Sequence, residues 1–162
     1  MNASALIGRS LPPVTVVVER GAVAAFARAV LDDSPVYRNA DAAGEAGFPA
    51  IPVPPTFTFA APLFAAFEEL QPPCPDNAVE LTELIAYLRA EGGLILHAEQ
   101  EFTYHGQVYV GDVLRVVRAV DGVRVTTARD GRRMTFVRVR SDVHNQAGRL
   151  VVTEVMTLMH RA

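Results

Sequence analysis

The chain has no lysine. All 15 of its basic residues are arginine, and against 18 acidic residues they leave a net charge of −3. We read the all-arginine usage as bias toward GC-rich codons, and so mild a charge gives no electrostatic basis for nucleic-acid binding. Cysteine is nearly absent too. Cys74 stands alone in the proline-rich run 71–75, which excludes an internal disulfide framework and suits a reducing compartment. No basic start precedes an apolar run, and no apolar run approaches ~18 residues, so neither a signal peptide nor a membrane span is expected and a cytoplasmic location is. There is no H-x-x-x-H, no C-x-x-C, no cluster of acids and no glycine-rich phosphate loop. No metal and no cofactor are therefore expected.

What is present is apolar: 50% of 162 residues are hydrophobic, enough to close one core, so a single domain over 1–162 is expected. The first half reads as helical and broken by proline. Val14–Val18 is a short β-branched run fit for a strand. Val23, Phe26, Ala27, Val30 and Leu31 then recur on one helix face, and Pro35 should stop that helix near Asp33. Most of the 11 prolines lie between Pro35 and Pro75, predicting a folded-over, turn-rich segment. Within it, Thr56–Leu70 is apolar on nearly all sides until Glu68, as befits a helix inside a core. Pro62 must lie in its first turn or kink it. Leu81, Leu84, Ile85 and Leu88 form a second amphipathic stripe, ended by Gly92-Gly93.

The second half reads as strands. Glu99–Tyr109, Val113–Val120, Arg133–Val143 and Arg149–His160 are rich in valine, threonine and aromatics. Gly111-Asp112, Asp121-Gly122, Asp130-Gly131 and Asn145–Gly148 separate them as turn signals. Strands without intervening helices imply a meandering antiparallel sheet. With one buried helix ahead of it, the fold class is α+β: a sheet wrapped around a helix, the hot-dog arrangement.

In this order and spacing, several segments resemble one family over nearly the whole chain. Glu99–Leu114 (EQEFTYHGQVYVGDVL), the opening Ile7-Gly8-Arg9 and the block ending Pro55-Thr56-Phe57-Thr58 are similar to MaoC-like dehydratases, in particular their N-terminal-type domains. The resemblance implies a hot-dog domain and reversible addition of water to the 2,3-double bond of an acyl thioester on coenzyme A or acyl carrier protein. Such chemistry needs a group to activate water, a group to handle the α-carbon proton, and a donor at the thioester oxygen. Competent members carry a pattern like G-D-x-N-P-x-H after a helix. Aligned on Pro35, this chain reads Leu31-Asp32-Asp33-Ser34-Pro35-Val36-Tyr37, which puts Asp32 at the aspartate and Tyr37 at the histidine. The family's H-G-M corresponds to Pro54-Pro55-Thr56, and Pro55 has no N–H to offer an oxyanion.

Two readings of the departures stand side by side. Either Asp32 and Tyr37 still perform acid–base work, or the site has degenerated and Asp32 only terminates a helix. A phenol with a pKa near ~10 is a poor base at neutral pH, which favours the second. In the family, N-terminal-type domains of this kind bind the acyl chain while a second hot-dog subunit supplies the missing pair. The resemblance thus implies a substrate-binding subunit of a heteromeric hydro-lyase. A self-sufficient enoyl-CoA hydratase using Asp32, or an acyl- or lipid-binding module without turnover, is the alternative.

Thr56, Phe57 and Ala60 are candidates to floor an acyl tunnel along the helix. His97 and His105 are candidates to contact substrate or replace the imidazole, or else are polar residues at strand ends. Nine of the 15 arginines lie between Arg115 and Arg149. They fit either coenzyme A phosphates and an acidic carrier protein, or the solvated face of a sheet. The resemblance further implies a homodimer, or a heterodimer with a catalytic MaoC-like subunit, the ligand lying at the junction.

Overall fold

A computed structural model describes residues 3–90 and 92–162. The chain opens with a 3-10 turn (Ala3–Leu6) and strand β1 (Ser10–Val17). Helix α1 (Arg20–Ala29), a 3-10 turn (Pro35–Tyr37), the short helix α2 (Ala40–Glu45) and helix α3 (Phe57–Ala65) follow. After a 3-10 turn (Glu68–Leu70) and helix α4 (Leu81–Arg89), the rest is sheet: β2 (Leu94–Tyr104), β3 (Val113–Thr127), β4 (Arg133–His144) and β5 (Leu150–Arg161). The five strands are antiparallel in the order β1-β3-β4-β5-β2. This is the hot-dog arrangement of the α+β class.

β2 lies at Leu94–Tyr104 rather than Glu99–Tyr109, and α1 stops at Ala29, leaving Val30 and Leu31 off the helix and exposed. Three further details differ from the sequence reading, each for a local reason. Asp121-Gly122 is not a turn. β3 runs through it with a bulge between Val120 and Gly122, the device that bends a long strand so that it can wrap. Nor is the sheet a simple meander. Only β3, β4 and β5 follow one another; after β2 the segment 105–112 crosses over, exchanging Val53 N–H to Val108 O (3.1 Å) and Val110 N–H to Ile51 O (2.9 Å) with the approach to α3. β3 therefore starts on the far side of the sheet from β2.

The third difference is the helix. α3 covers nine residues rather than the whole run 56–70, because the chain is extended at Ala66. Among its residues of described burial only Phe57, Thr58 and Ala61 are buried, while Leu63 is 85% exposed and Phe59, Phe64 and Phe67 are also on the surface. An apolar helix with one face in the core leaves the other uncovered in the single chain.

The core lies between α3, α4 and the concave face of the sheet, in two clusters. One gathers Phe57, Val23 and Val53 onto Val116, Val143 and Val152, with Phe26 meeting Phe57 edge to face at 5.6 Å. The other gathers Leu84 and Leu88 of α4 onto Val120, Val139 and Leu158. Strand register explains the division. Between the rows Val116–Val143–Val152 and Val120–Val139–Met156 lies a third row, Arg118–Ser141–Glu154, on the same face. A polar rung thus crosses the apolar floor. Arg118 reaches the edge of β1 and donates to Pro12 O at 2.6 Å. Glu154 points beneath α3.

Candidate functional site

α1 ends in a motif that fixes where Asp32 sits. Leu31 N–H bonds Arg28 O at 3.1 Å and Asp32 N–H bonds Ala27 O at 2.9 Å, the paired closure of a helix by a left-handed residue. That residue is Leu31, with φ 59°, the one non-glycine with positive φ among the described residues. The Asp32 carboxylate then turns back, Oδ1 accepting Ser34 N–H at 2.9 Å. Pro35 opens the 3-10 turn that carries Tyr37. Burial, and next the charge of Asp32, push the Tyr37 phenol above its ordinary value. Asp32 and Tyr37 are therefore brought near one another, both half-buried.

Tyr37 forms one wall of a cavity of about 330 Å³. Phe48 and Pro55 flank it, Thr58 of α3 and Val152 of β5 also line it, and Tyr104 and Gln107 close the side nearest β2. Tyr104 donates to Pro55 O at 3.0 Å, so the chain entering α3 is tied to the end of β2. Burial and the nearby Glu154 raise the Tyr104 phenol.

The other expected residues lie elsewhere. Thr56 is exposed at the N-terminal boundary of α3 and its side chain makes no capping bond. Phe57 is fully buried against Phe26, in the core rather than the cavity. Ala60 is partly buried one turn further on and is not among the cavity's lining residues. His97 packs on Phe59 (ring centroids 5.4 Å) and its Nε2 lies 3.1 Å from Glu99 O. His105 Nε2 lies 3.1 Å from Thr153 Oγ1, on the sheet face opposite Val152 and Glu154. There Thr153 donates to Asp142 at 2.9 Å, and Arg140 grips the same carboxylate through Nε and Nη2. Burial works against the charge on Asp142, but those bonds outweigh it and hold the acid below its usual range. Among the described residues, no three potential metal ligands converge.

Sequence reading missed Glu154. It is 4% exposed, and the hydroxyl of Thr58, a residue also 4% exposed, donates to its Oε1 at 2.5 Å. Burial raises the carboxyl and the Thr58 bond only partly opposes this. A signal was available: within LVVTEVMTLMHR, the inward alternation Val152, Glu154, Met156, Leu158 contains a single acid.

Comparison with known proteins agrees with this geometry. Residues 5–154 match the family model described as "FAS1-like, dehydratase domain region". A UPF0336 protein of Streptomyces avermitilis is 33% identical over 157 residues, 96% of this chain and 93% of its own length. The HadBC (3R-hydroxyacyl-ACP dehydratase) complex of Mycobacterium tuberculosis superposes with a TM-score of 0.66 at 25% identity, covering 95% of this chain and 97% of that one. The ChsH1–ChsH2 complex of the same organism gives a TM-score of 0.72 at 19% identity over 91% and 82% of the two chains.

Proposed function

The chain belongs to the FAS1-like dehydratase-domain family, with the MaoC-like hot-dog fold, and on that premise we propose that it is the acyl-binding, catalytically degenerate subunit of a heteromeric dehydratase. Its ligand is an acyl thioester of coenzyme A or acyl carrier protein. The observation that carries this reading is Tyr37: a phenol, pushed further above its ordinary value, stands in the cavity wall where the family pattern has an imidazole. It can donate a hydrogen bond but cannot serve as a base near neutral pH. Pro54 and Pro55 at the start of α3 supply no N–H to a developing oxyanion. The cavity is kept; the acid–base pair is not.

Two surfaces fit a partner. β1, one edge of the sheet, carries Pro12-Pro13 and an irregularity between Leu11 and Val14, features that block strand addition. β2, the other edge, is an eleven-residue strand without proline, hydrogen-bonded on one side to β5 with one irregularity between His97 and Glu99. Phe59, on the uncovered side of α3, packs on His97 of this strand. A second hot-dog subunit added along β2 would extend the sheet, cover Leu63 and Phe64, and place its own Asp/His pair near the cavity. HadBC, named as a complex, offers the parallel. The exposed Cys74 thiol suits a reducing cytoplasm.

The test is complementation. Co-purified with a MaoC-like protein that has an intact G-D-x-N-P-x-H segment and is encoded beside it, the chain is expected to support hydration of a long enoyl-CoA that neither protein hydrates alone. A partner fully active by itself, and unchanged by this chain, would contradict the proposal.

A further inference from the structure

Glu154 is the buried acid that the proposed binding role does not use. It lies at the centre of β5, faced by Phe102 across β2 and by Ser141 across β4. Its side-chain partner is Thr58, and Thr58 lines the cavity. Thr58 is therefore a hinge between a buried carboxyl and an open ligand site.

What the hydroxyl offers the cavity depends on the protons held by the pair. If Glu154 is ionised, Thr58 must donate to it, and only lone pairs remain for a ligand. If Glu154 is neutral, the pair holds two protons. A carboxylic acid is the stronger donor and an alcohol the stronger acceptor, so the acid donates to Thr58 and the Thr58 proton is released toward the cavity. Surroundings favour the neutral form. Among the described residues no cation faces the carboxyl directly: Thr58 comes from α3, Ser141 from β4 and Tyr104 from β2. Arg118 of β3 lies beyond Ser141, with its guanidinium on Pro12 O.

We propose that Glu154 is a positioning residue that turns the Thr58 hydroxyl into a hydrogen-bond donor for the cavity, giving the site a preference for acyl chains that carry an oxygen over plain saturated ones. This deepens the acyl-binding role and rests on it. A neutral hydrogen bond of this kind is worth about 3- to 10-fold in affinity. The preference holds while the acid is neutral and is lost as pH rises through its ionisation, because the ionised carboxylate reclaims the Thr58 proton.

The experiment compares dissociation constants of the full chain for 3-hydroxyoctanoyl-CoA and octanoyl-CoA, with infrared spectra of the same proteins free of ligand. Wild type should prefer the hydroxylated ligand. Thr58→Val and Glu154→Leu should bring the ratio toward unity, while Glu154→Gln, whose amide also donates to Thr58, should retain it. The infrared spectrum at neutral pH should contain a protonated-carboxyl band that Glu154→Gln removes. The spectrum is read without ligand, so it remains decisive if a variant binds poorly. An unchanged ratio in Thr58→Val, loss of preference in Glu154→Gln, or absence of the band would each overturn the inference. Equal binding of both ligands overturns it while leaving the acyl-binding role intact; binding of neither overturns both.

Discussion

At the residue scale the sharpest local cost is Leu31. A branched side chain in the left-handed region is unfavourable by roughly 1–2 kcal/mol, and at 87% exposure Leu31 recovers nothing by burial in this chain. Leu31→Gly should therefore stabilise the protein by roughly 0.5–1 kcal/mol, part of the relief being lost to the greater freedom of glycine in the unfolded chain. The check is a urea transition whose midpoint rises with unchanged slope. A midpoint that falls would mean that Leu31 has a contact partner in solution. The family pattern has glycine at this position, so the misfit was legible in the sequence once aligned on Pro35. So was the substitution of Tyr37 for histidine. Glu154 was not found, because its meaning depends on Thr58, 96 residues away, and no local pattern announces such a pair.

Element boundaries followed physics that sequence periodicity resolves poorly. β-branched runs and Asp-Gly or Asn-x-x-Gly turns placed β3, β4, β5 and the two hairpins between them. Asp121-Gly122 carries the same dipeptide signal as a turn, but the ladder resumes beyond it at Gly122–Arg138, and tertiary pairing converts a turn signal into a bulge. α3 was read as buried all round because a helix without a polar face has no periodicity to show which side is wet. Half of it is uncovered. That face yields a prediction at this scale: Leu63→Arg should leave monomer stability within about ±0.5 kcal/mol, since Leu63 is 85% exposed. It should weaken association with the partner subunit, seen as separation of the two proteins in size-exclusion chromatography with light scattering. Intact association would remove α3 from the interface.

For the whole molecule, the fold was legible and the work it does only partly so. The succession of one apolar helix and a run of β-branched strands suffices for a sheet wrapped around a helix, and the structure has it. The order in which strands join was not legible, since the crossover of segment 105–112 rests on backbone bonds to 51–53. Asymmetry ties the scales together: one sheet edge carries proline, one does not; one helix face is buried, one bare; and a cavity has Tyr37 in its wall where the family pattern has histidine. On the proposed reading, each of these is a feature that a second hot-dog subunit would complete.

The most direct measurement is hydration of crotonyl-CoA and of a longer enoyl-CoA by the purified chain alone, with Asp32→Asn beside it. The account predicts turnover at the level of the buffer for both proteins. Turnover by the wild-type chain that Asp32→Asn abolishes would contradict it, and would make this chain a hydratase in its own right.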